Sequence, residues 1–307
     1  MVGAGATGGF FGGRLAQAGR EVTFLVRPGR AAVLRERGLR IVGVGGDTVL
    51  EPKLVSAAEL TAPYDLVVVT VKEAGLAGAI ADLAPAVGPE TMILPVLNGM
   101  RHIDALVERF GERPVLGGVA KVAAMIDSNG DIARMSGLGS LTYGARDGRS
   151  GPRLDELHRT LSGVGFDTEL SADITGEMWA KWVFIASIAA VNCLARGSVG
   201  EVVAVPGGTR FAEAVVAEGA AVAAAAGHPL SEAELAVARG VVTSEGSVAT
   251  ASLYRDLIGG LPAEGEQIFG DLVARADALG VPVPLLEVVT LQLRVHQNRL
   301  NQGSGTS

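Results

Sequence analysis

The sequence predicts an α/β domain built on a doubly wound, parallel sheet, followed by an all-α domain. Three observations carry this. A glycine-rich turn, Gly3-Ala4-Gly5-Ala6-Thr7-Gly8, stands at the head of an apolar helix. Short β-branched runs then alternate with segments of helical periodicity as far as about Leu170. Beyond Leu170 helical periodicity dominates and no strong strand run appears. The expected division is 1–170 and 171–301, with Gln302–Ser307 (QGSGTS) as a disordered tail. No internal repeat is visible.

The elements follow in order. After the turn, Phe10–Ala18 spaces its apolar residues three to four apart and reads as a helix. Glu21–Arg27 (EVTFLVR) is β-branched and apolar, a buried strand. Arg30–Arg37 is helical, and Leu39–Val44 with Thr48–Lys53 form a small antiparallel addition. Asp65–Val71 (DLVVVTV) is the clearest strand. A helix over Leu76–Leu83 precedes the strand Thr91–Leu97, which ends at Asn98-Gly99. Further strands are expected at Pro114–Gly118 and Leu141–Tyr143. The second half predicts helices at Gly176–Leu194, Gly208–Ala226 and Ser231–Val242, another with an acidic start after Pro262, and one at Pro284–Asn298. Alternating strands and helices in the first half argue a parallel sheet with helices on both faces.

Composition narrows the function. The 307 residues are 48% hydrophobic, enough to build two cores, and the net charge of −7 at pH 7 argues against a nucleic-acid binder or an anionic-membrane binder. One cysteine, Cys193, excludes an internal disulfide framework and fits a reducing compartment. The N-terminus is too glycine-rich for a signal peptide. The longest apolar helix candidate, Val183–Val191, falls short of the roughly 18 residues of a membrane span. A cytoplasmic protein is expected. His102, His158, His228 and His296 are scattered singly, without metal-ligand spacing.

The glycine turn matches G-x-G-x-x-G. The first glycine permits the tight turn after a strand, the second lets backbone approach a pyrophosphate, and the third lets the helix pack on the sheet. The helix N-terminus supplies N–H donors. With the helix and the strand EVTFLVR behind it, the motif predicts a Rossmann-like dinucleotide site at Gly3, Gly5, Ala6, Thr7 and Gly8. The second strand ends on Arg27, with Arg30 close behind, where an acidic residue would select NAD. A guanidinium fork suits a 2′-phosphate, so NADP(H) is the expected cofactor. One feature fits badly. A strand of roughly five or six residues should precede the first glycine, and only Met1 and Val2 do. A start upstream of Met1 is the expectation.

Five ordered motifs carry a resemblance: GAGATGGFFGGRLAQAG at the start, VTVK ending at Lys72, LPVLNGM around Asn98, EMWAKW around Lys181, and ASLYRDLIGGLPAE from Ser252 to Glu264. Over nearly its whole length the chain resembles the ketopantoate reductases (2-dehydropantoate 2-reductases). The resemblance implies NADPH-dependent reduction of 2-dehydropantoate, a 2-oxo acid, in pantothenate biosynthesis. It also implies a Rossmann-like domain plus an all-α, 6-phosphogluconate dehydrogenase C-terminal-like domain, with the active site in the cleft between them.

On its own, Lys181 reads either as a snorkelling lysine on an apolar helix or as a functional cation. By resemblance it is the general acid that protonates the nascent alkoxide. Glu264 reads as a helix-start acid and, by resemblance, as a carboxylate that accepts from the substrate hydroxyl, near the cofactor. Asn98 is first a turn residue; the family uses it near nicotinamide and substrate. Lys72, at a strand end, is a cofactor or substrate contact. Ser252 is either a helix cap or a ligand for the substrate carboxylate. Cys193, on an apolar helix, reads as core.

The match departs at one place. Family members carry asparagines four and eight residues after the lysine. Here those positions hold Ile185 and Ala189, on the Lys181 face of the helix. Asn192 returns to that face about 16 Å further along, too far to stand in. A more apolar ketone substrate therefore stays open beside 2-dehydropantoate, as does a non-catalytic NADP(H)-binding sensor. A homodimer through the helical domain is left undecided.

Overall fold

The structure is a computed structural model that describes residues 1–303. It divides into two compact units, Met1–Leu97 with His102–Ile174, and Asn98–Arg101 with the chain from Thr175 onward.

The first unit opens with α1 (Ala6–Gln17), β1 (Thr23–Leu25) and α2 (Pro28–Arg37), which starts on a proline and stops at Gly38 in left-handed backbone. Then come β2 (Leu39–Gly43), β3 (Thr48–Leu50), β4 (Lys53–Val55), β5 (Leu66–Val69), α3 (Leu76–Leu83), β6 (Met92–Pro95) and α4 (Arg101–Phe110). The unit ends with β7 (Leu116–Ile126), β8 (Ile132–Ala145), α5 (Pro152–Leu161) and β9 (Asp167–Leu170).

Its first layer is parallel. β4 pairs with β1, and β5 with β6. The residue that joins the two pairs is Val2, bridged in parallel to Leu25 on one side and Val69 on the other. Leu25 N–H donates to the Met1 carbonyl (2.9 Å), and Val2 N–H to the Val68 carbonyl (2.7 Å). Val2 thus stands between β1 and β5, at the centre of this parallel layer. Ile93 extends the layer to Val115.

The second layer runs β3-β2-β8-β7, with β9 beside β8. The small antiparallel addition expected at residues 39–53 is the β2–β3 pair. The strands expected at Pro114–Gly118 and Leu141–Tyr143 prove to be one end of a long hairpin, paired from Leu116↔Ala145 to Ile126↔Ile132 with a shift between Val122 and Ala124. The core of this unit gathers around α1. Phe10 and Phe11 are fully buried, and Phe11 meets Phe166 edge-on at 4.8 Å.

The second unit is helical: α6 (Ile174–Ala195), α7 (Val199–Val203), α8 (Gly208–Ala225), α9 (Glu232–Val242), α10 (Ser252–Ile258), α11 (Asp271–Leu279) and α12 (Pro284–Gly303). Ser198 with Glu201, and Ser231 with Glu234, close capping boxes at the starts of α7 and α9. Three expectations need correction. The helix after Pro262 does not begin as an ordinary α-helix; a π-helical turn, Glu266–Gly270, precedes α11. The tail expected from Gln302 is helical through Gly303, because α12 runs on past Asn298; its other residues lie outside those described. The expectation that no apolar helix reaches the length of a membrane span does not hold: the helix expected at Gly176–Leu194 covers Ile174–Ala195 and is long and apolar enough to cross a membrane. In this unit it is a core helix, with Trp182, Val183, Ala190, Val191 and Cys193 at or below 1% exposure.

Candidate active site

The glycine loop fits a dinucleotide. Gly3 takes φ +92°, a conformation that side chains resist, and a Cβ on Gly8 would overlap Thr70 Oγ1 and the Gly3 carbonyl. Around Gly5 a Cβ meets nothing within 4 Å, so backbone there is open to a ligand. Helix α1 starts at Ala6 with no side chain capping it. Its first-turn N–H groups, from Ala6, Thr7 and Gly8, thus have no partner in the helix and suit a diphosphate. Thr70 Oγ1 donates to the Val2 carbonyl (2.8 Å) and lies 3.1 Å from that of Gly3, bracing the turn from β5. Sequence reasoning missed Thr70, although it stands in the quoted motif VTVK.

Arg27 lies two residues beyond β1 as the residue before α2, and its side chain is exposed. Its Nη2 lies 3.4 Å and 3.5 Å from where Cβ atoms on Gly75 and Gly78 would be. The guanidinium thus rests over two glycines just beyond β5, and makes no hydrogen bond or ion pair with the described residues. Arg30 is different. Its Nε donates to the Ala4 carbonyl (2.8 Å) and its Nη1 to the Gly130 carbonyl (2.7 Å). Lys72 is exposed and begins the short turn after β5. Arg27 and Lys72 both sit at carboxyl ends of parallel strands, where open α/β sheets bind ligands.

In the second unit, one short segment organises the other predicted residues. Glu264 is half-buried and immediately precedes the helical turns that lead to α11. Three residues on, Gln267 donates from Nε2 to the Asn98 carbonyl. Gly99 packs so closely there that a Cβ would lie 2.5 Å from the Gln267 carbonyl oxygen, which is why glycine must follow Asn98. The next residue, Ile268, accepts at 2.9 Å from the buried indole N–H of Trp182, the neighbour of Lys181. Asn98 thus bonds this segment directly, Glu264 lies three residues before Gln267, and Lys181 is next to Trp182. A π-helical turn shifts the register of side chains within a helix and recurs at functional sites. Gln267 and Trp182 were not singled out from sequence; Trp182 stood in the motif EMWAKW, while Gln267 had no signal.

Lys181 is half-buried on α6. Ile185, one turn on, is half-buried, and Ala189, two turns on, is 1% exposed. Asn192 is wholly buried and spoken for: its Nδ2 donates to the Gly197 carbonyl (2.8 Å), and its Oδ1 accepts from Ala251 N–H (2.8 Å). It therefore anchors the start of α10. Ser252 is the exposed first residue of α10; Ala251 is the N-cap, so the helix-cap reading of the serine does not hold. Cys193 is buried, and burial pushes its thiol up to about 12. His228 stacks on Trp179, and His158 Nδ1 meets the Tyr143 hydroxyl at 2.8 Å, so both are structural. Among the described residues no group of three or more His, Cys, Asp or Glu side chains could hold a metal.

Comparison with known proteins decides the family. Residues 1–148 match the model of ketopantoate reductase PanE/ApbA, and residues 173–297 that of its C-terminal domain. This chain belongs to the ketopantoate reductase family. An uncharacterized oxidoreductase of Bacillus subtilis, YkpB, is 33% identical over 97% of this chain and 98% of its own. The 2-dehydropantoate 2-reductase of Halobacterium salinarum is 32% identical over 97% and 98%. The crystal structure of a PanE/ApbA family ketopantoate reductase from Ralstonia eutropha superposes with TM-score 0.86 at 26% identity, covering 98% of this chain and 100% of that one. As a family member the chain is an oxidoreductase that uses a nicotinamide cofactor.

Proposed function

We propose that this chain reduces the ketone of a 2-oxo acid, foremost 2-dehydropantoate, with NADPH. The bound cofactor supplies the hydride. Lys181 supplies the proton: as the carbonyl carbon accepts hydride, negative charge grows on oxygen, and an ammonium both stabilises and neutralises it. Glu264 accepts from the substrate hydroxyl, and Asn98 orients the reacting groups with its amide. Ser252 and Lys72 are assigned to the substrate carboxylate and the cofactor. Arg27 is assigned to the 2′-phosphate, which accounts for a guanidinium left unpaired at a strand end. The observation that carries the reading is the Gln267–Ile268 segment, which hydrogen-bonds to Asn98 on one side and to Trp182, next to Lys181, on the other. A merely snorkelling lysine needs no such arrangement. The lone buried cysteine agrees with a cytoplasmic setting.

The test is steady-state reduction of 2-dehydropantoate, followed by loss of reduced nicotinamide absorbance. Lys181→Ala should lower kcat by about 10²–10⁴-fold while leaving the NADPH Kd unchanged. An unchanged kcat removes Lys181 from the mechanism, and tight NADPH binding without turnover of any oxo acid makes the chain a sensor. A second reading is favoured by Ile185 and Ala189, which give the Lys181 face of α6 two apolar side chains where hydrogen-bonding ones would hold a small polar substrate. On that reading, branched or aromatic 2-oxo acids outrun 2-dehydropantoate in the same assay.

A further inference from the structure

Two arginines follow β1, three residues apart, and the structure gives them different work. Arg27 is exposed and makes no hydrogen bond or ion pair with the described residues. Arg30 is half-buried, and its Nε and Nη1 are already committed to two carbonyls, Ala4 and Gly130. We propose that Arg30 is a positioning residue for the cofactor's diphosphate: braced by Gly130, it pulls the Ala4 carbonyl back and so aims the Gly5 N–H outward.

The argument is one of peptide geometry. A carbonyl and the N–H that follows it point in opposite directions across a trans peptide, and the chain has no cis peptide among its described residues. Whatever holds the Ala4 oxygen therefore sets the direction of the Gly5 N–H. Arg30 holds that oxygen from the α2 side, so the Gly5 N–H faces the other way, and space beside Gly5 is open. Without the guanidinium, the Ala4 carbonyl could swing toward the loop and present a partial negative charge to a diphosphate. Ala4 itself is buried, so water is a poor substitute for the arginine.

The brace at the other end is equally built. Gly130 lies at the tip of the β7–β8 hairpin, with φ +82°, and a Cβ there would stand 3.3 Å from Arg30 Nη1 and 2.9 Å from Val33 Cγ1. Its neighbour Asp131 is paired with Arg37 (2.9 Å) and Arg40 (3.3 Å). The hairpin tip is thus fastened to α2 and beyond it, and Arg30 carries that fixed point to the loop. A guanidinium can serve two carbonyls at once; an ammonium on a similar stem cannot match the fork.

This inference rests on the dinucleotide reading of the loop, and calorimetric titration separates the two. NADPH, NADH and 2′-AMP are titrated into wild type, Arg30→Met and Arg30→Lys. Because both dinucleotides share the diphosphate, Arg30→Met should weaken NADPH and NADH by the same factor, about tenfold. It should leave 2′-AMP unchanged, and raise the cofactor KM with kcat at saturation preserved. Arg30→Lys should fall between the two, and it serves as the test chain if the methionine variant does not fold. Loss confined to NADPH and 2′-AMP would put Arg30 on the ribose phosphate and overturn the proposal. Equal affinities across all chains would overturn it too. A wild type that binds neither dinucleotide would instead defeat the reading beneath it.

Discussion

Arg27 and Arg30 show how little a residue's type says until its partners are known. Both read from the sequence as candidates for a 2′-phosphate, Arg27 first. In the fold, Arg30 gives its Nε and Nη1 to carbonyls, whereas Arg27 hydrogen-bonds none of the described residues. A bidentate guanidinium–phosphate contact is charge-assisted and strong. Arg27→Ala should therefore weaken NADPH about ten- to a hundredfold and leave NADH nearly unaffected, as read by fluorescence titration of the reduced cofactors. Equal loss for the two would remove Arg27 from cofactor selection. The same lesson holds at Asn192, which lies on the face of Lys181 by helical arithmetic, too far along to serve the substrate. Burial explains why it is there: three backbone groups, on Gly197, Ala249 and Ala251, hydrogen-bond its amide.

At the scale of elements, that amide is a joint. It ties α6 to the turn before α7 and to the start of α10, whose first residue is Ser252. Asn192→Ala strands at least one half-buried donor and one half-buried acceptor, at a cost of about 2–4 kcal/mol. That should lower the melting temperature by roughly 5–10 °C in a thermal scan, with kcat per folded molecule preserved. A variant that melts with wild type would mean the joint is slack. Most elements were legible because their periodicity is uninterrupted; α3 lies where its apolar spacing put it. The β7–β8 hairpin was mostly not. It extends beyond the core, so Met125, Met135 and Leu138 are exposed and the inward–outward alternation fades. Its turn did leave a signal: in Asp127-Ser128-Asn129-Gly130, the Asp127 carboxylate accepts from Asn129 N–H (2.9 Å), which is what such a run encodes. The π-helical turn had no comparable signature, since propensity does not distinguish it from an α-helix. With it went Gln267, the contact that ties Asn98 to the Glu264 segment.

For the whole molecule, the decisive element is α6. Its length and composition would allow it to cross a bilayer, yet 61% of its most apolar window is buried within the protein. Cys193, near its carboxyl end, reports which setting it occupies. Burial raises the thiol to about 12. At pH 8 only about one molecule in ten thousand then carries a thiolate, and the sulfur is out of reach as well. In detergent-free buffer a thiol reagent should leave the native chain unlabelled and label one site once denaturant is added. The same shift has a sign in stability. The folded chain keeps the proton that the unfolded chain gives up near the ordinary thiol value of about 8.5. The unfolded state thus binds fewer protons, and stability falls as pH rises from about 9 toward 12, by up to about 1.4 kcal/mol per pH unit. Tyr143, whose phenol is likewise raised by burial, adds to the fall above about pH 10. Urea melts at pH 8, 9 and 10 on wild type and Cys193→Ala isolate the thiol: the wild-type midpoint should drop over pH 9–10, and the variant's should drop less. Rapid labelling of the native chain, or parallel pH curves for the two proteins, would place the end of α6 outside the core.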